Sequence, residues 1–248
     1  MYNHKRAGEP ELRARLEART VAFHANCDVR DVESLMAFRA EWEDAPEDKL
    51  LGELPSCPFL GMLDDGETNR VGCMVHPLQN DGVDGRDCGV YDRDTCEGYL
   101  CAAHSVMSRD EKWLVLVGSR DSYVYGLAVT DVRYVRELLA LAARRNGAMP
   151  TGAALGREGV REAAEAYFEL KREWPWRAED GVFGQVVPGE GLDTPRRPGP
   201  SEQVSVEPDE YEPLLRCLGT RVEDVAQLED ARAFVAARVD AFARAVAS

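Results

Sequence analysis

The sequence predicts a mainly α-helical protein in which one irregular, cysteine-rich segment is embedded. Two observations support this fold class. Apolar residues recur at helical spacing over much of the chain, most clearly at 131–145, 157–173 and 224–246. Between residues 57 and 104 this periodicity is lost, and glycine, proline and aspartate divide the chain into short pieces.

The N-terminal part is predicted to form two helices. Leu12 and Leu16 are spaced i, i+4 within a helix expected at 9–20. A second helix is expected at 31–43, where four apolar residues are predicted to lie near one face: Val32, Leu35, Met36 and Trp42. The segment that follows has no long periodic element, and we expect at most one small hairpin in it.

Helical structure is predicted to resume after His104. Residues 108–111 fit a capping box, which should open a helix through Val117. The helix at 131–145 should stop at Asn146-Gly147, since glycine readily adopts the left-handed conformation that ends helices.

The C-terminal part contains a break and then further helices. Prolines and glycines after residue 186 predict a linker or an extended surface strap. A second capping box is expected at 220–223, before the last helix. The expected organisation is a helical domain with the cysteine cluster at 1–185, the linker at 186–208, and C-terminal helices at 209–248 packed on the same domain.

Composition and charge exclude several classes of partner. The 248 residues carry a net charge of −15 and show no basic patch, so neither nucleic acid nor an anionic membrane is expected as a partner. The N-terminus leads into charged residues, and the apolar run at 113–117 is far shorter than a membrane span. We therefore expect a cytoplasmic protein, and leave the identity of a protein partner open.

The uneven distribution of cysteine is the main functional signal. Six of the seven cysteines lie between Cys27 and Cys101. Thiolate and imidazole bind zinc and iron, and in a reducing compartment clustered cysteines are more often metal ligands or reactive thiols than disulfides. The predicted metal ligands are Cys57, Cys73, Cys96 and Cys101. Reserve candidates are His76, His104 and Cys88.

The spacing of these cysteines leaves alternatives open. It is wider than the paired Cys-x-x-Cys of a zinc ribbon, so scattered buried thiols are a second interpretation. A third is a nucleophile–base pair, either Cys73 with His76 or Cys27 with His24.

The cysteine segment also resembles a known family. The residues that carry the resemblance are Cys57-Pro58-Phe59-Leu60, then Cys73 and Pro77, then Cys96, Tyr99 and Cys101. They are similar to the bacterial YkgJ-type cysteine-cluster family, described as zinc- or iron-chelating. A related flagellin lysine methylase carries an iron–sulfur cluster. The resemblance implies a metal centre at these cysteines.

We therefore expect a metal-binding protein with a cysteine-rich centre. A zinc ion held by four thiolates has no open position, so its role would be structural. A [4Fe–4S] cluster on the same thiolates would allow electron transfer or redox sensing. Zinc is favoured because nothing else in the chain suggests a redox partner. The alternative is a redox or methyl-transfer-related enzyme that uses an iron–sulfur cluster at the same cysteines.

Overall fold

The computed structural model describes residues 8–49, 52–64, 69–98, 102–178 and 198–248. Within these ranges the protein is mainly helical, as predicted, and its strands form one two-stranded antiparallel sheet. None of the helices described is long and apolar enough to cross a membrane.

The chain divides into two compact units, Met1–Leu100 and Cys101–Ser248. This division falls within the segment expected to be a single helical domain, 1–185. Most of the expected linker lies outside the described residues, and its described part, 198–208, contains only one helical turn at Pro200–Gln203.

The first unit combines two long helices with a hairpin and a short helix. Its elements are α1 (Glu9–Asn26), α2 (Val32–Trp42), β1 (Leu60–Asp64), β2 (Asn69–Cys73) and α3 (Arg93–Gly98). Helix α1 extends beyond its predicted end. Asp31 caps α2, because its carboxylate accepts the Glu33 N–H at 3.0 Å.

A cluster of three buried phenylalanines forms the core of the first unit. The Phe23 ring on α1 lies 5.5 Å from the Phe38 ring on α2 and 6.1 Å from the Phe59 ring before β1. Phe38 in turn stacks on Phe59, with ring centroids 5.5 Å apart. These contacts hold both helices against the start of the hairpin.

The predicted apolar face of α2 was partly wrong. Leu35 and Phe38 are its buried residues, whereas Val32 and Met36 are 61% and 45% exposed. The aromatic rings of the neighbouring elements pack against the side of α2 that carries Phe38, so this side of the helix is buried. Sequence spacing alone does not identify those neighbours.

The hairpin is attached to α1 through Thr20. In its register Leu60 lies opposite Cys73, and Met62 lies opposite Val71. The Thr20 hydroxyl accepts the Met62 N–H at 2.8 Å and lies 3.2 Å from the Met62 carbonyl oxygen. Gly61 permits this approach, since a Cβ there would lie 2.5 Å from Thr20 Oγ1.

The second unit is built from helices in the part of the chain that the structure describes. They are α4 (Ala102–Val106), α5 (Arg109–Val117), α6 (Ser122–Val129), α7 (Val132–Asn146), α8 (Gly152–Leu155), α9 (Glu158–Phe168), α10 (Leu170–Glu173), α11 (Pro200–Gln203), α12 (Glu212–Cys217) and α13 (Val225–Ala247). Helix α13 packs against α7 and α9.

The local sequence signals in this unit predicted two helix ends correctly and one incorrectly. Ser108 and Glu111 form the expected capping box of α5, and Gly147 ends α7 at φ 74°. The capping box expected at 220–223 is wrong, because Asp224 caps α13. The buried Thr220 hydroxyl instead donates to the Leu215 carbonyl at 2.6 Å.

A buried ion pair lies in the core of the second unit. Lys171 Nζ donates to Asp131 Oδ2 at 2.5 Å and to the Cys217 carbonyl at 2.7 Å, and both charged side chains are 1% exposed. The ammonium group also lies 4.4 Å from the centre of the Tyr134 ring. Thus the buried cation has three partners.

We predict that Lys171→Met lowers the free energy of unfolding by about 3–5 kcal/mol, because Asp131 is left buried without its counter-charge. Urea denaturation measures the change. Adding Asp131→Asn should recover much of the loss, since asparagine removes the charge and still caps α7. Arg161→Met, at an exposed pair with Glu158, is the control and should change stability by less than about 1 kcal/mol.

Candidate metal centre

Three of the four predicted cysteine ligands lie in described parts of the first unit. Cys57 precedes β1, Cys73 ends β2, and Cys96 lies on α3. The hairpin register places Cys57 and Cys73 at the same end of the sheet, because Leu60 is opposite Cys73. Cys101 lies outside the described residues.

These three thiols share one electrostatic environment. The pKa of Cys73 is raised to about 11, chiefly by burial, and the charges of Cys57 and Cys96 contribute to this increase. Cys96 is exposed, yet partial desolvation raises its pKa, and Cys57 adds to this increase. Among the described residues, however, no three His, Cys, Asp or Glu side chains form a group able to hold a metal ion.

The backbone around Cys73 is arranged to stabilise its thiolate. The Val75 N–H hydrogen-bonds the Cys73 sulfur and lowers its pKa, against the larger effect of burial. The chain turns here, since the His76 N–H donates to the Cys73 carbonyl at 3.3 Å. Hydrogen bonds from the backbone orient ligands and tune the sulfur atoms of metal centres.

Arg86 supplies a positive charge beside two of the thiols. Its guanidinium lowers the pKa of both Cys73 and Cys96. Asp84 holds this guanidinium with hydrogen bonds of 2.9 and 2.7 Å, and Glu97 of α3 lies 3.8 Å away. Arg86 therefore links the loop after β2 to the helix that carries Cys96.

Arg19 lines the same small cavity as Cys57. A cavity of about 10 Å³ is lined by Arg15, Arg19, Asp44 and Cys57, among others. Asp44 accepts from Arg19 Nη2 at 2.7 Å and also contacts Arg15. The pKa of Arg19 is lowered to about 10, chiefly by burial and in part by Arg15, while Cys57 acts in the opposite direction.

The reserve ligands have other roles or lie elsewhere. His76 Nδ1 accepts the Leu78 N–H at 3.1 Å and so caps a short turn. Cys88 is buried against the phenylalanine cluster, which makes it a core residue and not an exposed thiol. His104 is an exposed residue of α4, in the second unit.

The nucleophile interpretation receives no support from these pKa shifts. A catalytic cysteine needs a lowered pKa. Burial raises the pKa of Cys73, and it also raises that of Cys27, where Glu41 adds to the effect. The direction of both shifts therefore does not favour either thiol as a nucleophile.

Sequence reasoning missed the two arginines. Arg19 has a visible signal, because it interrupts the apolar stripe that Leu12, Leu16 and Phe23 form along α1. Arg86 begins a short 3₁₀ turn, and its position beside Glu97 is apparent only from the tertiary structure.

No protein family, curated protein or solved structure matches the chain. The relationship to the YkgJ-type family therefore stays a prediction.

We predict that the alkylation rate of Cys73 in the reduced, metal-free protein keeps rising about tenfold per pH unit up to pH 10. The thiolate is the reactive form, and the raised pKa delays its appearance. Mass spectrometry after iodoacetamide pulses measures the rate. In urea the alkylation rate should stop rising at a pH nearer the pKa of an ordinary thiol. The same plateau in the folded protein would contradict burial of Cys73.

Proposed function

We propose that the first unit binds a metal through the thiolates of Cys57, Cys73, Cys96 and Cys101, and that the centre is structural. The proposal is supported by the hairpin register, which places Cys57 and Cys73 at one end of the sheet, and by the electrostatic effect of Cys57 on both Cys73 and Cys96. The donor type suits a thiophilic metal, because all four predicted ligands are cysteines and Cys73 already accepts a backbone N–H.

A metal would supply a constraint that this part of the chain otherwise lacks. Between β2 and α3 the described backbone contains two short 3₁₀ turns, Pro77–Gln79 and Arg86–Cys88, and no longer element. Bonds from one ion to Cys73 and Cys96 would cross-link the two ends of this segment. Such bonds contribute directly to folding free energy.

Zinc is the favoured metal, and a [4Fe–4S] cluster is the second candidate. With four thiolates, zinc would have no open position and would act structurally. An iron–sulfur cluster on the same thiolates would favour a redox or methyl-transfer-related enzyme. In both cases the residues that would hold the group are the same four cysteines.

We predict that protein purified without oxygen contains about one metal centre per chain and that each substitution of the four cysteines by serine lowers this content severalfold. Elemental analysis and the visible spectrum are measured on one sample. A colourless zinc protein supports the structural centre, and a brown one supports the iron–sulfur alternative. Cys27→Ala is the matched control, since Cys27 lies at the edge of the aromatic core. A wild-type protein without zinc or iron contradicts the proposal.

We further predict that metal removal increases amide hydrogen exchange in 57–104 and leaves α13 protected. The segment has few regular elements, whereas α13 buries its own apolar face, including Leu228, Val235 and Phe242. Exchange is compared with and without chelator by mass spectrometry. Equal protection of 57–104 in both samples would show that no structural metal holds it.

A further inference from the structure

The outward face of helix α5 combines exposed apolar side chains with positive charge. Trp113 is 45% exposed and Leu116 is 57% exposed, and their i, i+3 spacing places them side by side on the helix surface. Arg109 and Lys112 lie on the same face, because the buried residues of α5 lie on the opposite side. These four residues are called the α5 face below.

The two cations of the α5 face are not neutralised within the part of the chain that the structure describes. Neither Arg109 nor Lys112 forms an ion pair there, although the chain contains 45 acidic residues and 30 lysines and arginines. Arg120, which follows α5, is by contrast paired with Glu165 at 3.1 Å. Exposed apolar side chains beside uncompensated positive charge favour contact with a surface that is both apolar and acidic.

Helix α2 of the same chain carries a surface of this kind. Val32 and Met36 are exposed at i, i+4 spacing, and exposed Ala40 continues the stripe by one more turn. Glu33 and Glu41 are exposed on the same helix, and neither forms an ion pair with another described residue. The exposed stripe of α2 is therefore apolar and negatively charged, whereas the α5 face is apolar and positively charged.

We propose that the α5 face binds the exposed stripe of α2 in a second copy of this chain. Apolar side chains would pack at the centre of the contact, and the opposite charges would pair at its rim. Two α5 faces would bring like charges together, so they do not pair with each other. Helices of nine and eleven residues are only about 14 and 17 Å long. The contact is therefore smaller than a standard interface, and we expect weak, concentration-dependent association.

The test is sedimentation equilibrium of the full chain in reducing buffer, over a wide range of protein concentration. The average mass of the wild type should rise with concentration, and less steeply in high salt, which screens the charges at the rim. Replacing both apolar residues of the α5 face, by Trp113→Ala with Leu116→Ser, should weaken association about tenfold or more. Val225→Ser is the matched control, because Val225 is 46% exposed on a different helix, and this variant should associate as the wild type does. Circular dichroism confirms that each variant is folded.

Charge reversal identifies the two surfaces that meet. One variant carries Arg109→Glu and Lys112→Glu, and a second carries Glu33→Lys and Glu41→Lys. Each variant alone should associate severalfold more weakly than the wild type, because both of its surfaces then have the same sign. A mixture of the two should recover association, since each surface again meets one of opposite charge. Association of the single variants at wild-type strength, or no recovery on mixing, would overturn α2 as the occupant. A wild-type chain that stays monomeric at every concentration would overturn the proposal as a whole.

Discussion

The first unit depends on the packing of Phe23, Phe38 and Phe59, because these contacts join both long helices to the hairpin. Burying a phenylalanine side chain contributes about 1.5–3 kcal/mol, and Phe59 is completely buried. Phe59 lies two residues after Cys57, and its carbonyl accepts the Met74 N–H at 2.9 Å. Hydrophobic burial therefore positions Cys57 and the turn after Cys73 together.

The two units treat a buried cation differently. In the second unit Lys171 is completely partnered by Asp131, the Cys217 carbonyl and the Tyr134 ring. In the first unit Arg19 shares Asp44 with a second arginine and keeps an unpaired Nε–H within the described residues. A buried ion pair whose hydrogen-bonding groups all have partners is typical of a rigid, well-packed core.

Features set by local chain chemistry could be predicted from the sequence, and those set by distant partners could not. The capping box at Ser108 and the stop at Gly147 depend on neighbouring residues, and both are confirmed. The orientation of α2 and the role of Thr220 depend on groups far away in the sequence. The cysteine site falls between these cases: its short hairpin was expected, whereas the arginines beside its thiols were not.

The hydrogen bonds between Thr20 and Met62 also affect how the sheet meets other chains. An open strand edge exposes N–H and carbonyl groups that can pair with a strand of another molecule. On β1 the Met62 groups are already engaged by a hydroxyl from α1. Thr20 thus protects this edge from intermolecular β-pairing, so that the short sheet does not offer a template for aggregation.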